Sequence, residues 1–191
     1  MKSAVTPQTQ PLLELFYRAL SDQDPEVLTN AAFASGLLVE HSDMDLSPQY
    51  MHLLQAYRPL FQIPPDAPAA RLNARDNAVG AVSRMIYKNM AAVPLDQVLP
   101  VLFDAIPLQQ DYLENRPLFR AIFELFKRQP QVLEPYLDKL LQVFAVVLDP
   151  NGPDQVGDEI RRELIQLIGV LNAQNPAKVQ AAGLSAFLPG A

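Results

Sequence analysis

Ser83 lies five residues before Lys88, Ser42 follows His41, and Asp158 adjoins Glu159. These are the places where the sequence could hold a nucleophile with a base, or a pair of carboxylates. Acyl transfer also needs an orienting acid, a sharp turn exposing the nucleophile and backbone donors for the oxyanion, and neither serine has that setting. Asp158 and Glu159 stand at the start of an expected helix, where they offset the helix dipole more readily than they share a proton. The seven glycines are scattered, so no phosphate-cradling loop exists. There is no cysteine, and His41 and His52 are eleven residues apart, so a zinc or iron centre would have to be built mainly from carboxylates. No catalytic residue, cofactor or metal is expected, and no enzymatic activity.

The absence of Cys removes disulfides and fits a reducing compartment. The N-terminal stretch MKSAVTPQTQP lacks the apolar core of a signal peptide. The longest apolar runs, AAFASGLLV and LLQVFAVVL, are half of what a membrane span needs. A net charge of −6 over 191 residues disfavours nucleic acid through phosphate repulsion and favours a basic partner.

What positions these residues is a repeat. Sliding the chain on itself brings LELFYRAL (from Leu13), LQAYRPLF (from Leu54), LPVLFDAI (from Leu99) and LQVFAVVL (from Leu141) into alignment, at spacings of 41, 45 and 42 residues. Their first, fourth and eighth positions are apolar in every copy, which is one face of a helix. A second series interleaves with the first: it starts at Asn30, Asn77, Arg116 and Arg162, with spacings of 47, 39 and 46. The expected fold is therefore all-α, a solenoid of about four hairpins, each with an outer A helix and an inner B helix. Approximate boundaries are 8–42, 48–89, 94–129 and 131–174, with a terminal helix over 176–188.

Helix punctuation agrees. Asp24-Pro25-Glu26 places a capping acid before a proline at the first helical position. Pro48, Pro94 and Pro135 mark the starts of later A helices. Pro59 and Pro100 lie inside apolar patterns and are expected to kink or shorten their helices. Gly80 and Ala81 mark a close approach of the second B helix to a neighbour. Asn77, Arg84 and Lys88 in that helix, and Arg116, Arg120, Glu124 and Lys127 in the third, read as solvated polar faces with intrahelical pairs. Phe119, Phe123 and Phe126 read as core. His41 and His52 read as loop and helix-surface residues. The first A helix is expected to expose an apolar side.

The stretch DPEVLTNAAFASGLL resembles a HEAT repeat, with Leu28 where such repeats usually carry Arg. ARDNAVGAVSRMI, followed by QVLPVLFDAIPLQQDYLENRPLF, resembles the C-terminal repeats of importin-beta-type nuclear transport receptors. The likeness is to the importin-4-like branch with its fungal karyopherin relatives, and it extends over about Pro11 to Gly190. It implies the C-terminal part of a receptor that wraps basic protein cargo, core histones with a histone chaperone or ribosomal proteins, and shuttles between cytoplasm and nucleus. It also implies contacts with Ran through N-terminal repeats outside this chain.

The four A-to-B connections, 21–26, 62–69, 107–114 and 149–159, hold ten of the 21 acids and no Lys or Arg. In stacked hairpins such connections fall on one edge, so an acidic ridge is expected, which would steer a basic partner. The candidate cargo contacts are Asp111, Glu114, Glu124, Asp154, Asp158 and Glu159. Capping and dipole chemistry at B-helix starts is the competing account of these acids. A HEAT scaffold of a stable complex, with no transport role, is the alternative function.

Overall fold

A computed structural model describes residues 8–188, and every element among them is helical. Nine α-helices follow in order: α1 Thr9–Ala19, α2 Pro25–His41, α3 Tyr50–Phe61, α4 Ala69–Asn89, α5 Leu95–Asp104, α6 Asn115–Arg128, α7 Leu137–Leu148, α8 Asp158–Gln174 and α9 Pro176–Ala181. Short 3₁₀ turns at Ser47–Gln49, Met90–Ala92, Tyr112–Glu114, Pro130–Tyr136 and Leu184–Phe187 link them. No strand occurs among the described residues. The chain divides into two compact units, Met1–Ala121 and Ile122–Ala191.

The fold class is that of paired-helix HEAT solenoids, and the first unit shows why. Asp24 accepts the Glu26 N–H at 2.8 Å and Pro25 opens α2, as the punctuation requires. α1 packs on α2 and α3 on α4, while α2 and α4 form the most extensive helix pair of the unit. Side-by-side B helices from successive hairpins are the stacking expected of a solenoid. Most of the aligned apolar positions are core: Leu13, Leu20, Tyr57, Leu99, Leu102 and Ile106 are buried, while Phe16, Leu54 and Phe61 are half-buried. Burying such side chains, at ~25 cal/mol per Å², is what holds short helices that would fray alone.

Close approach is set by two small residues. A Cβ on Gly36 would stand 2.9 Å from the Ala81 Cα, so α2 and α4 meet almost backbone to backbone. The Ser35 and Tyr57 hydroxyls share a buried hydrogen bond of 2.7 Å that ties α2 to α3. Pro59 and Pro100 are accommodated inside α3 and α5, helices of only 12 and 10 residues. Both prolines are exposed, as are Gln55 and Asp96, whose carbonyls lose the helical partner, so water can take over. α1 buries Leu13 and leaves Leu15 half exposed beside the exposed Glu14 and Arg18, one apolar residue where an apolar side was expected.

In the second unit, α9 packs on α7 and α8, and the 184–187 turn touches all three. Gly183 makes that turn possible with φ of 74°, a conformation that disfavours a side chain. Leu140, Leu141, Phe144, Leu148, Ile160, Leu164, Ile168, Val179 and Leu184 form its core. Of the aromatic cluster on α6, Phe119 is buried whereas Phe123 and Phe126 are half-buried.

Candidate functional site

The polar chemistry of the first unit is concentrated on one stripe of α4. Asp76, Gly80 and Arg84, four residues apart, share a helix face, and all three are buried. The expectation of a solvated face on this helix is therefore corrected for Asn77 and Arg84, which are buried, and holds for Lys88, which is exposed. Arg84 pairs with Glu114 through two guanidinium nitrogens, Nη2 to Oε1 at 3.1 Å and Nη1 to Oε2, and donates Nε–H to Glu40 Oε2 at 3.0 Å. Its guanidinium also lies 5.7 Å from the Phe33 ring centroid. Gly80 is the reason the carboxylate fits, because a Cβ there would collide with Glu114 Oε2.

One turn toward the N-terminus, Asp76 Oδ2 accepts the backbone N–H groups of Gln109, Gln110 and Asp111 at 2.9, 2.6 and 3.0 Å. Arg75 reaches the Ile63 carbonyl at 3.2 Å and Gln109 Oε1 at 2.6 Å. The Asn77 amide donates to Asp111 Oδ2 at 3.1 Å. So the polar head of α4 holds the 107–114 connection, which begins with a cis Ile106–Pro107 bond. Burial pushes the Asp76 carboxyl above its ordinary range, with the three N–H bonds pulling the other way. For Glu114, burial likewise raises the carboxyl, opposed by Arg84. The arrangement fixes a loop and contains no nucleophile or proton relay open to a substrate.

The candidate contacts are divided between the two units, Asp111 and Glu114 in the first and the others in the second, and they differ in exposure. Glu114 is 1% exposed, so it is removed from any outward ridge: its charge is met by Arg84. The count of connection residues missed this because the cation arrives from α4. Asp111, half-buried, caps the Tyr112–Glu114 turn by accepting the Leu113 N–H at 3.2 Å. Glu124 pairs with Arg128 at 2.7 Å and Lys127 at 4.0 Å, the intrahelical pairs expected of this face. In the second unit, Asp154, Asp158 and Glu159 are exposed, and Arg161 reaches Asp154 at 3.1 Å. Asp158 and Glu159 open α8 in its first turn. His41 ends α2, and His52, exposed on α3, meets the Tyr17 ring edge-on at 5.8 Å.

Sequence reasoning missed Glu40 and Asp76 as polar anchors. The signal was present: a glycine between Asp76 and Arg84 at helical spacing leaves a slot beside a cation. An open groove of about 420 Å³ lies between α3 and α5 of this unit, with Met51, Leu54, Val98 and Val101 among its walls. Met51 and Val101 are each about half exposed there. Among the described residues no group of three or more His, Asp or Glu side chains could hold a metal ion. Nor is any helix among the described residues long and apolar enough to cross a membrane.

No protein-family model matches this chain. Individual relatives do. The chain is 42% identical over 168 residues, 88% of its length, to a probable importin subunit beta-4 of Schizosaccharomyces pombe. It is 28% identical over 171 residues to human importin-4 and 27% over 154 residues to the mouse protein. It spans only about 15% of the length of these relatives. A helical-hairpin fold of HEAT type and this pattern of likeness together place the chain in the importin-beta family, in its importin-4 branch.

Proposed function

We propose that the chain is a cargo-contacting part of a nuclear import receptor, made of its C-terminal repeats and shuttling between cytoplasm and nucleus. The observation that carries this is the 42% identity to an importin subunit over 88% of the chain. The helix pairs are read as HEAT repeats over about 8–42, 48–89, 94–129 and 131–174, closed by 176–188. The cargo is a basic protein, core histones with their chaperone or ribosomal proteins, and Ran acts through repeats outside this chain. Support for a basic cargo is electrostatic: the net charge is −6, and Asp111, Asp154, Asp158 and Glu159 lie in or beside connections that contain no Lys or Arg. Glu124 is neutralised by its own helix and contributes little. Glu114 is internal and contributes only by holding its loop.

The test is binding of purified core histones to the chain as salt is raised. Steered basic cargo weakens steeply between about 50 and 300 mM salt. Replacing Asp154, Asp158 and Glu159 with Asn or Gln should reduce affinity at low salt and flatten the salt dependence; no change in either would end the acidic-contact reading. The groove between α3 and α5 favours a second reading, a scaffold in a stable complex, because an apolar contact resists salt. Binding of a partner that survives high salt and is lost in Met51→Asp or Val101→Asp would favour it.

A further inference from the structure

We propose that the notch between the first turns of α4 and the 107–114 connection of the first unit docks a partner segment in which a Lys or Arg neighbours an aliphatic side chain. The proposal rests on the basic-cargo reading and assigns it one point of contact. Three observations bear on it. The notch is a depression of about 360 Å³ lined by Ala69, Ala70, Asn73, Gln110 and Asp111. Leu113, two residues from Asp111, is 83% exposed, more than any other large apolar side chain described.

The third observation is charge. The hydrogen bonds that Asp111 accepts from the Leu113 N–H and the Asn77 amide come from neutral groups, so they leave its negative charge uncompensated. Asp66 is exposed on the 62–69 connection, whose Pro65 carbonyl accepts the Gln109 side-chain amide at 3.4 Å, and neither connection contains a Lys or Arg. Arg75 of α4 is buried beneath the two connections on the Ile63 carbonyl and Gln109, and Arg71 and Arg116 lie on the flanking helices, so the outward carboxylates of Asp66 and Asp111 are the charged groups that the connections themselves offer. A partner ammonium or guanidinium can reach the carboxylates while the adjoining aliphatic group covers Leu113.

Rigidity distinguishes this notch from an ordinary surface loop. Asp76 pins three consecutive N–H groups of the 107–114 connection, and Arg84 clamps Glu114 immediately after Leu113. The contact residues are thus ordered before binding, so little conformational entropy is lost on docking. An exposed leucine on such a fixed mount is a recognition element whose shape the partner can match.

The experiment measures binding of three synthetic peptides, of repeating Lys-Leu, Lys-Ser and Glu-Leu, to the whole chain by fluorescence anisotropy. Lys-Leu should bind most tightly. Leu113→Ser should weaken Lys-Leu about fivefold and leave Lys-Ser unchanged, since one apolar contact is removed. Asp66→Asn with Asp111→Asn should weaken both lysine peptides. Because Leu113 and Asp66 are exposed, the helical circular dichroism of Leu113→Ser and Asp66→Asn alone should match the unaltered chain. Lys-Leu binding that ignores Leu113→Ser and Asp66→Asn but falls with Asp154→Asn, Asp158→Asn and Glu159→Gln would overturn this notch and leave the basic-cargo reading standing. Failure of every lysine peptide and of histones to bind the unaltered chain would overturn both, and tight Glu-Leu binding would overturn the notch.

Discussion

The two units solve the placing of charge in opposite ways. In the first, Arg84, Glu114 and Asp76 are buried and bound to one another's helices and loops. In the second, Arg161 with Asp154, Lys178 with Asp138 at 2.9 Å, and Glu124 with Lys127 and Arg128 pair toward solvent. A buried charge costs several kcal/mol to desolvate, which its partners must offset, whereas an exposed pair is worth about 0–1 kcal/mol. The first unit is therefore sensitive to single polar substitutions, and its loop conformation is specified by them. The second depends on its aliphatic core.

Substitutions can break or sharpen this contrast. The largest effect is expected for Gly80→Val, which fills the Glu114 slot, ejects the carboxylate and strands Arg84: a loss of about 3–5 kcal/mol by denaturant unfolding. Glu114→Ala keeps the slot but removes two of the Arg84 bonds, leaving Glu40, and should cost about 2–3 kcal/mol. Asp76→Ala should cost about 2–3 kcal/mol, with faster amide exchange at Gln109, Gln110 and Asp111 as its specific mark.

A gentler effect is expected from pH. Burial raises the Asp76 and Glu114 carboxyls above 3.8 and 4.5, so the folded chain holds these protons more firmly than the unfolded chain. The associated stabilisation is complete below the ordinary carboxylate values and is lost as pH rises through the raised ones. Asp76→Asn should flatten that part of the stability-against-pH curve; an unchanged slope would mean that this carboxyl is not raised. The smallest effect is expected in the second unit. Lys178→Ala removes an exposed pair and should cost under about 0.5 kcal/mol, less at high salt. A cost near that of Glu114→Ala would erase the contrast.

The apolar half of the architecture was legible in the sequence. Periodicity located the helices, and Asp24-Pro25 and Pro94 located starts, because these signals are local. The polar half was less so. Asn77 and Arg84 look like solvent-facing residues until Asp111, Glu114 and Glu40 are brought beside them, and Asn77 to Asp111 is a separation of 34 residues. Counting charges by connection placed Glu114 on the outside, since burial by a cation from another element leaves no trace in composition. Gly80 was recognised as a close approach, although what approaches it is a carboxylate and not a helix.

At Gly36 the clearance to Ala81 is smaller than a methyl group. Two rods touching at their spines can neither slide along one another nor roll without lifting apart, since side chains elsewhere would act as rollers but here there are none. Any flexing of the first unit as it accommodates a partner must then be absorbed away from this junction, which acts as its fixed fulcrum.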